Sequence, residues 1–309
     1  MSSVQSYYMR PTPTFILIVA IFMAASGCAT SPPQRPGPNL APAQLPIYKK
    51  GTTYVYSNGS WETVIDVTSG AVTWKDNRGM VSTGLPDFTY TRTSWQLKSR
   101  QGSREFAPRE DVLAVPPTSL WPLRVGNVAG YTESGTWSDK GGPEKTYRLK
   151  WSCEVAGTER VSVMAGEFDT YTIECARNSG RRTWEVKIWY YAPAVGHYVL
   201  VTNRYTYDQP SKRMELLAVI PPDDGFTAAK RNRIAQSFQK TMEYNKSGHP
   251  LSWSDNRINV EITPTDTFRI ENGTYCRRYV QKILQPKEQA TFHGMACRES
   301  NGTWVIPRR

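Results

Sequence analysis

Residues 183–191 read Thr-Trp-Glu-Val-Lys-Ile-Trp-Tyr-Tyr, and this stretch decides the fold class. The residues alternate in character, most clearly at Trp184, Val186, Ile188 and Tyr190, which is the two-residue period of a β-strand. β-branched and aromatic side chains, which fill the stretch, are also the ones that strands favour. We therefore predict a β-strand here and take it as the starting point for the sequence around it.

Nine further stretches have the same strand-like composition: 53–56, 61–68, 71–76, 88–97, 146–153, 160–163, 170–176, 199–207 and 214–219. Turn residues are frequent, with 22 glycines and 22 prolines in 309 residues, and Asn58-Gly59 is a dipeptide typical of tight hairpins. No helical pattern of about 12 residues occurs in this part of the chain. The sequence thus predicts a mainly β protein, with an antiparallel barrel or sandwich over residues 47–221.

A second, smaller domain of the α+β class is predicted over residues 222–309. The string Pro-Pro-Asp-Asp-Gly at 221–225 separates the two domains, and a helix should follow it, because apolar residues recur there at helical spacing. These apolar residues are Ala229, Ile234, Phe238 and Met242. Asp224 or Thr227 could cap the helix. Asn-Gly dipeptides at 272–273 and 301–302 predict hairpin turns in a β-meander that completes the domain.

Five short strings follow one another in this second domain: SGHPLSW (247–253), VEITP (260–264), YCRRY (275–279), ACR (296–298) and NGTW (301–304). Their order resembles the C-terminal domain of the bacterial 17 kDa surface antigens, which are small outer-membrane lipoproteins. The resemblance implies an outer-membrane address and pairs Cys276 with Cys297. A glycine-rich apolar hairpin, common in that family, does not occur in this sequence, so membrane insertion through such a hairpin is not expected.

Three strings in the first domain are LWPLRVG (120–126), VSVMAGEFDT (161–170) and WYYAPAVG (189–196). They are similar to β-rich envelope proteins of the DUF3108-like group. Gly166 and Gly196 suit tight turns, and the aromatic residues suit a packed core. The resemblance implies a β-rich envelope domain without an assigned activity. A ligand pocket is the alternative use of the same residues.

An uncharged apolar run over residues 15–25 ends at Ala25-Ser26-Gly27-Cys28. Small residues before a cysteine in this setting resemble a bacterial lipobox, although Ala25 stands where that motif often has leucine. Residues 1–27 then look like a lipoprotein signal peptide, which implies cleavage before Cys28 and palmitate-type lipid on its thiol. Ala29, in place of an aspartate that would favour the inner membrane, implies the outer membrane.

The leader leaves two alternatives open. The apolar run is shorter than the roughly 20 residues of a membrane-spanning helix, which disfavours an uncleaved anchor. Translation starts at Met1 or at Met9, since either methionine precedes the run.

Residues 28–46 are predicted to be a proline-rich tether. Six prolines between Ser31 and Pro46 exclude a helix and an inner strand. A semi-rigid spacer of the polyproline type would hold the first domain away from the lipid surface.

The four remaining cysteines form two pairs. Cys153 and Cys175 lie in the first predicted domain, Cys276 and Cys297 lie in the second, and each sits on a strand-like run. In an oxidising compartment, one disulfide in each domain is the economical interpretation. A zinc site is disfavoured, because no Cys-x-x-Cys occurs and the three histidines are scattered. We expect neither a metal nor a cofactor.

The net charge of +11 could bring a basic face to anionic partners, and a solvated basic surface without a partner is the alternative. The candidate partners are polyanions of the cell wall or of lipopolysaccharide, and another envelope protein. Nucleic acid is not expected as a partner, because the leader looks like an export signal. Arg277 and Arg278 should project from opposite faces of one strand and are the candidate polyanion-binding residues. A structural ion pair or simple exposure is the alternative for both.

The sequence carries no recognisable catalytic constellation. The motifs G-x-S-x-G, H-E-x-x-H, the P-loop and G-x-G-x-x-G do not occur in it. We therefore predict a non-enzymatic outer-membrane lipoprotein, facing the periplasm or the exterior, that organises the envelope or binds a partner. The alternatives are a periplasmic carrier that holds an apolar ligand or lipid in its β-domain, and a cell-wall hydrolase of unrecognised type.

Overall fold

The computed structural model describes residues 37–98, 100–108, 120–139, 142–179, 182–206, 210–222, 226–255, 258–286 and 288–307. The predicted lipidation site Cys28 and the hinge residues 223–225 lie outside these ranges. Residues Gly37–Arg309 form one compact unit. Within the described ranges, no helix combines the length and the apolarity that a membrane crossing requires.

Twelve strands close into an antiparallel barrel. They are β1 (Thr53–Tyr56), β2 (Trp61–Val67), β3 (Val72–Asp76), β4 (Val81–Gly84), β5 (Ser94–Leu97), β6 (Arg100–Pro108), β7 (Val128–Asp139), β8 (Lys145–Val163), β9 (Gly166–Ser179), β10 (Arg182–Ala192), β11 (His197–Tyr205) and β12 (Lys212–Ile220). Each strand pairs with the next along the chain. The ring closes where β1 pairs with β12, with Tyr54 opposite Val219. The predicted mainly β class is confirmed, and the structure selects the barrel over the sandwich.

The C-terminal part is a helix followed by a meander. The elements are α1 (Ala228–Tyr244), β13 (Leu251–Asp255), β14 (Ile258–Arg269), β15 (Tyr275–Gln285), β16 (Glu288–Arg298) and β17 (Trp304–Val305), and consecutive strands pair antiparallel. Thr227 caps the helix, because its hydroxyl accepts a hydrogen bond from the Lys230 backbone N–H. Met242 is fully buried, whereas Ala229 is exposed.

The predicted Asn-Gly dipeptides form the tight turns after β1, β14 and β16. Their second residues, Gly59, Gly273 and Gly302, have φ values of 80°, 82° and 87°. This left-handed conformation carries no steric penalty for glycine, which explains the dipeptide at each turn.

Three barrel strands are absent from the prediction, namely β4, β6 and β7. Strand β6 has the sequence Arg-Gln-Gly-Ser-Arg-Glu-Phe-Ala-Pro, which lacks the β-branched and apolar residues that mark strands. It is held in the sheet by pairing along its whole length with β7. Strand propensity follows from such neighbours as much as from the residues themselves, so composition alone misses strands of this kind.

Both predicted disulfides are present. Cys153 and Cys175 lie directly opposite each other on β8 and β9. Cys276 and Cys297 do the same on β15 and β16. Each bond therefore links neighbouring strands within one of the two predicted domains.

The meander packs against the outside of the barrel. Ala218 on β12 pairs with Gly294 on β16, and Leu217 joins Cys276 and Met295 in a buried apolar cluster. The approach at Gly294 is close, since a Cβ atom there would lie 2.9 Å from the Cβ of Ala218. The two predicted domains thus share a packed interface in one compact unit, and the boundary at residue 221 stays a prediction.

The described half of the predicted tether also packs on the barrel. Ala43 is buried and forms an isolated β-bridge with Leu123. The hydroxyl of Tyr171 donates to the carbonyl oxygens of Leu40 and Ala41, at 3.1 and 3.0 Å. Residues 37–46 therefore lie against the sheet, whereas the semi-rigid tether over residues 28–46 as a whole stays a prediction. Proline excludes helix, but its extended backbone still offers carbonyl groups and apolar surface for packing.

Candidate functional site

A cavity of about 280 Å³ lies inside the barrel. We call it the barrel cavity and define it by its lining residues: Tyr48, Glu62, Trp74, Leu85, Phe88, Thr89, Tyr90, Thr91, Arg92, Arg104, Trp151, Lys187, Trp189, His197 and Tyr198. Strands on different sides of the ring contribute to the lining, namely β2, β3, β6, β8, β10 and β11. The connection between β4 and β5 supplies the residues from Leu85 to Arg92. The volume lies just below the range of roughly 300–1,000 Å³ that is typical of ligand pockets, so the cavity is a candidate site for a small ligand.

Aromatic rings form the deep wall of the barrel cavity. Trp74 is 1% exposed, and its ring meets that of Tyr48 edge to face, with the centroids 4.9 Å apart. The Trp189 ring packs against Phe88 at 5.4 Å and against Tyr198 at 4.7 Å. These rings pack mainly against one another and close the inner end of the cavity.

His197 forms the floor of the barrel cavity between two tyrosine hydroxyls. The Tyr48 hydroxyl lies 2.9 Å from Nδ1, and the Tyr56 hydroxyl lies 2.9 Å from Nε2. Tyr56 in turn donates to the hydroxyl of Tyr198 at 3.0 Å. Since the Tyr56 proton is used in that bond, we assign Nε2–H of His197 as the donor to Tyr56 and Nδ1 as the acceptor from Tyr48.

His197 is held in its neutral form by its surroundings. Burial lowers the pKa of His197 well below its usual value, and the nearby charge of Arg92 acts in the same direction. Both ring nitrogens are occupied by tyrosine partners, so the imidazole presents no free base to the cavity. The imidazole therefore links Tyr48 and Tyr56 across the floor of the cavity.

Three arginines in and beside the barrel cavity each have a carboxylate partner. Arg92 Nη2 lies 2.9 Å from Glu62 Oε2, and Arg104 Nε lies 3.1 Å from Glu133 Oε1. Behind them, Arg177 Nε lies 3.4 Å from Glu185 Oε2. Within each pair the two charges cancel, so the arginines together with their glutamates add no net charge to the site.

Lys187 differs from the three arginines. Its ammonium group has no hydrogen-bond or ion-pair partner within the described ranges and lies 4.9 Å from the centroid of the Trp189 ring. Burial lowers the pKa of Lys187, while Glu185 opposes that change. A partly desolvated ammonium that lacks a carboxylate partner leaves one positive charge in the cavity wall unbalanced.

Four further side chains in the lining carry buried polar atoms without a hydrogen-bond partner in the described structure. They are Trp74 Nε1, Tyr90 Oη, Thr91 Oγ1 and Trp189 Nε1. Indole N–H groups can only donate, and the two hydroxyl groups can donate as well. Each of these four atoms has less than 1 Å² of surface accessible to water, so they lie behind the surface of the cavity rather than on it.

The residues predicted as sites from the sequence lie elsewhere. The disulfide cysteines are structural, and Cys28 lies outside the described ranges. Arg277 is 5% exposed and donates to the carbonyl oxygens of Met242 and Asn245, at the C-terminal end of α1.

Arg278 projects from the other face of β15, as predicted. It donates to the Met164 carbonyl at 3.0 Å and to Asp266 Oδ2 at 2.7 Å. Both consecutive arginines therefore have partners within the chain, and polyanion binding by Arg277 and Arg278 stays a prediction.

Sequence reasoning missed the cavity residues apart from Trp189, which belongs to the third string of the first domain. One signal was available on β10, where Glu185, Lys187, Trp189 and Tyr191 share a strand face. A lysine between a glutamate and two aromatic residues on one face is unusual for a dry core. Arg92 and Arg104 gave no such signal. Arg92 lies in the stretch predicted as a strand over residues 88–97, of which only Ser94–Leu97 is a strand in the structure, and Arg104 lies on the unpredicted strand β6.

A metal centre has no counterpart in the described ranges. No three or more histidine, cysteine, aspartate or glutamate side chains converge there in a way that could hold a metal ion.

Comparison with known proteins finds a match in the C-terminal part. The model of the family described as 17 kDa outer membrane surface antigen matches residues 241–305. The 17 kDa surface antigen of Rickettsia felis is 34% identical over 77 residues, which cover 24% of this chain and 48% of that protein. The antigen of Rickettsia prowazekii is 32% identical over 78 residues, covering 25% and 49%. The chain thus spans about half the length of the curated relatives that it matches.

Among solved structures, the chain is similar to the crystal structure of the hypothetical lipoprotein YmcC from Escherichia coli K12. The TM-score is 0.35 at 11% sequence identity, and the alignment covers 58% of this chain and 90% of that one.

Proposed function

We propose that this protein is a lipid-anchored protein of the outer membrane that works by binding rather than by catalysis. The observation that carries the proposal is the match of residues 241–305 to the outer membrane surface antigen family. The lipobox-like string at residues 25–28 and the two disulfides fit an oxidising envelope compartment. The membrane is then a partner through lipid on Cys28, and a cell-wall polyanion, lipopolysaccharide or another envelope protein is the second partner.

Metabolic labelling with palmitate, followed by membrane fractionation, tests the anchor. We expect the unmodified protein to incorporate label and to sediment with outer membranes through carbonate and high-salt washes. Cys28→Ser should abolish labelling, because the thiol is the acylated group. The matched control is Ser26→Ala, which keeps a small residue before the cysteine and should label normally.

A further substitution separates the anchor from the address. Ala29→Asp should leave palmitate labelling intact and move the protein towards inner membranes. An unlabelled protein that washes off with salt would refute the anchor, whereas a labelled protein in inner membranes would refute only the outer-membrane assignment.

A carrier that holds an apolar ligand or lipid in the β-domain is the second candidate. It is favoured by one observation, the closed barrel with an internal cavity. Arg92, Arg104 and Lys187 in its lining would have to be desolvated beside an acyl chain, which argues against a wholly apolar ligand. Native mass spectrometry of the purified protein would detect a retained lipid.

A further inference from the structure

A row of hydroxyl side chains crosses the outer face of the barrel. Strands β3 to β8 each contribute one residue, and each residue lies directly opposite the next: Thr73, Thr83, Ser94, Ser103, Thr136 and Thr146. Their neighbours in sequence, Trp74 and Trp137 among them, point to the inner face, because side chains alternate along a strand. Since neighbouring strands lie about 4.8 Å apart, the row is about 24 Å long.

A groove of about 380 Å³ follows the part of this row on β4 to β7. We call it the outer groove. Its other side is a second row, in which Gln101 lies opposite both Gln96 and Ser138. Beneath it, the Trp95 indole packs over Gly102, where a Cβ atom would lie 2.5 Å from Trp95 Nε1. The sheet therefore has a closely packed backing at the groove.

The outer groove offers hydrogen bonds with little charge. Ser103 Oγ and Thr136 Oγ1 lie 3.2 Å apart, and their bond uses only one of the two hydroxyl protons, so the pair can still donate and accept. The glutamine amides of the second row also do both. Glu144 is the one carboxylate among the described lining residues, and none of those residues is a lysine or an arginine. Lys75 borders the groove, opposite Val81.

This lining disfavours three kinds of partner. An acyl chain needs an apolar surface, and Val81 is the one aliphatic residue of the described lining. A polyanion needs lysine or arginine, which the described lining lacks although the chain has a net charge of +11. Protein interfaces depend on exposed tryptophan, tyrosine or arginine, whereas Trp95 and Trp137 belong to the inward-pointing positions.

A glycan has the complementary chemistry. Each sugar ring presents uncharged hydroxyl groups that both donate and accept, and a linear glycan repeats them along its length. The hydroxyl row likewise repeats one donor and acceptor group per strand. The volume of the groove lies within the range of roughly 300–1,000 Å³ that is typical of ligand pockets.

We propose that the outer groove binds an uncharged segment of a linear glycan, laid along the hydroxyl row across β4 to β7. The ring hydroxyls exchange hydrogen bonds with Ser94, Ser103 and Thr136 on one side and with Gln96 and Gln101 on the other. This inference rests on the binding role proposed above, for which it names a cell-wall glycan as the partner, and it does not depend on the lipid anchor.

Titration calorimetry on the full-length protein in lipid nanodiscs tests the ligand class. The probes are the hexamer and the dimer of β-1,4-linked N-acetylglucosamine, with heparin as a polyanion. We expect saturable binding of the hexamer, at least about tenfold tighter than that of the dimer, because several rings contact the row. Added salt should leave this affinity unchanged, since the contacts are uncharged, and heparin should not compete.

A double variant, Thr83→Val with Thr136→Val, removes two hydroxyl groups and keeps a β-branched side chain of similar shape at each position. It should weaken hexamer binding by about tenfold or more, because two hydrogen bonds are lost. The matched control is Thr172→Val with Thr202→Val, on the outer faces of β9 and β11 and outside the groove lining. It should bind like the parent. Near-ultraviolet circular dichroism of both variants verifies that the barrel is intact.

Gln101→Arg separates a glycan from a polyanion. The added guanidinium should weaken hexamer binding, because it replaces an amide that both donates and accepts. A polyanion site would instead bind heparin more tightly in this variant than in the parent. That result would overturn the proposal, and so would the absence of saturable hexamer binding or equal hexamer affinity of the double valine variant and the parent. A failed palmitate experiment would leave it standing, so the two proposals fail separately.

Discussion

The carboxyl group of Asp87, in the connection between β4 and β5, is buried in surroundings that favour its protonated form. It is 2% exposed, and its Oδ1 accepts hydrogen bonds from the backbone N–H and the hydroxyl of Thr89, at 3.0 and 2.7 Å. Burial nevertheless raises the pKa of Asp87 from 3.8 to about 6. Since the pKa of Asp87 is higher in the folded protein than in the unfolded chain, protonation of Asp87 stabilises the folded state. This contribution is complete below pH 3.8 and is lost as the pH rises through about 6.

Asp87→Asn should therefore gain stability relative to the parent protein as the pH rises. Asparagine keeps a neutral oxygen acceptor for Thr89 and never ionises. We expect the difference in unfolding free energy to move in favour of the variant by about 1–3 kcal/mol between pH 4 and pH 7. Urea unfolding at each pH measures it. Asp66→Asn on β2, an exposed carboxylate, is the control and should show a flat difference; a flat difference for Asp87 would contradict the prediction.

At the level of the element, α1 depends on a residue that is distant in the sequence. The last carbonyl groups of a helix have no partner within the helix. Here the guanidinium of Arg277 reaches from β15 and donates to Met242 O at 2.6 Å and Asn245 O at 2.8 Å. The same contact places a positive charge at the negative end of the helix dipole. The helix is thus fixed to the meander by its C-terminal end.

Arg277→Met should destabilise the protein by about 2–3 kcal/mol, because it leaves buried carbonyl groups unpaired. The loss is measured by urea unfolding monitored by far-ultraviolet circular dichroism. Lys240→Met, an exposed residue of the same helix, is the control and should change stability by less than about 0.5 kcal/mol. A loss of equal size in both variants would show that Arg277 is not the cap.

At the level of the whole molecule, the barrel and the meander form one structure. They meet at the pairing of Ala218 with Gly294 and through the cluster that contains Leu217 and Met295. Because this contact is apolar and closely packed, we expect the two parts to unfold together in one cooperative transition.

Gly294→Ala tests this contact. The added methyl group would lie 2.9 Å from the Ala218 Cβ and 2.5 Å from the Tyr279 hydroxyl oxygen, so one of the two layers must shift. We expect a loss of about 1–3 kcal/mol, or separate transitions for the barrel and the meander in calorimetry. Gly157→Ala on β8 is the matched control, since a Cβ there meets nothing within 4 Å. If both variants melt like the parent, the contact does not couple the two parts.

The sequence predicted the classes of element better than their arrangement. The Asn-Gly turns, the helix capped by Thr227 and the two disulfides depend on local conformational preference or on spacing, and the structure contains them. Strands β4, β6 and β7 depend on pairing with distant strands, which composition does not report. The cavity also depends on long-range contacts, since Trp74, Arg92 and Lys187 meet only when β10 closes across the barrel from β3.

The conformation of strand β10 follows from its local sequence, whereas its orientation in the sheet follows from the closed barrel. The alternation over residues 183–191 determined a strand, because a two-residue period is a local property of the backbone. It did not determine which face points inward. The more apolar face, with Trp184 at 42% exposure, points outward, and the mixed face with Glu185, Lys187 and Trp189 lines the interior. Ring closure made that choice, because only the closed barrel brings residues of distant strands, such as Trp74 on β3 and Arg104 on β6, around the cavity beside Lys187.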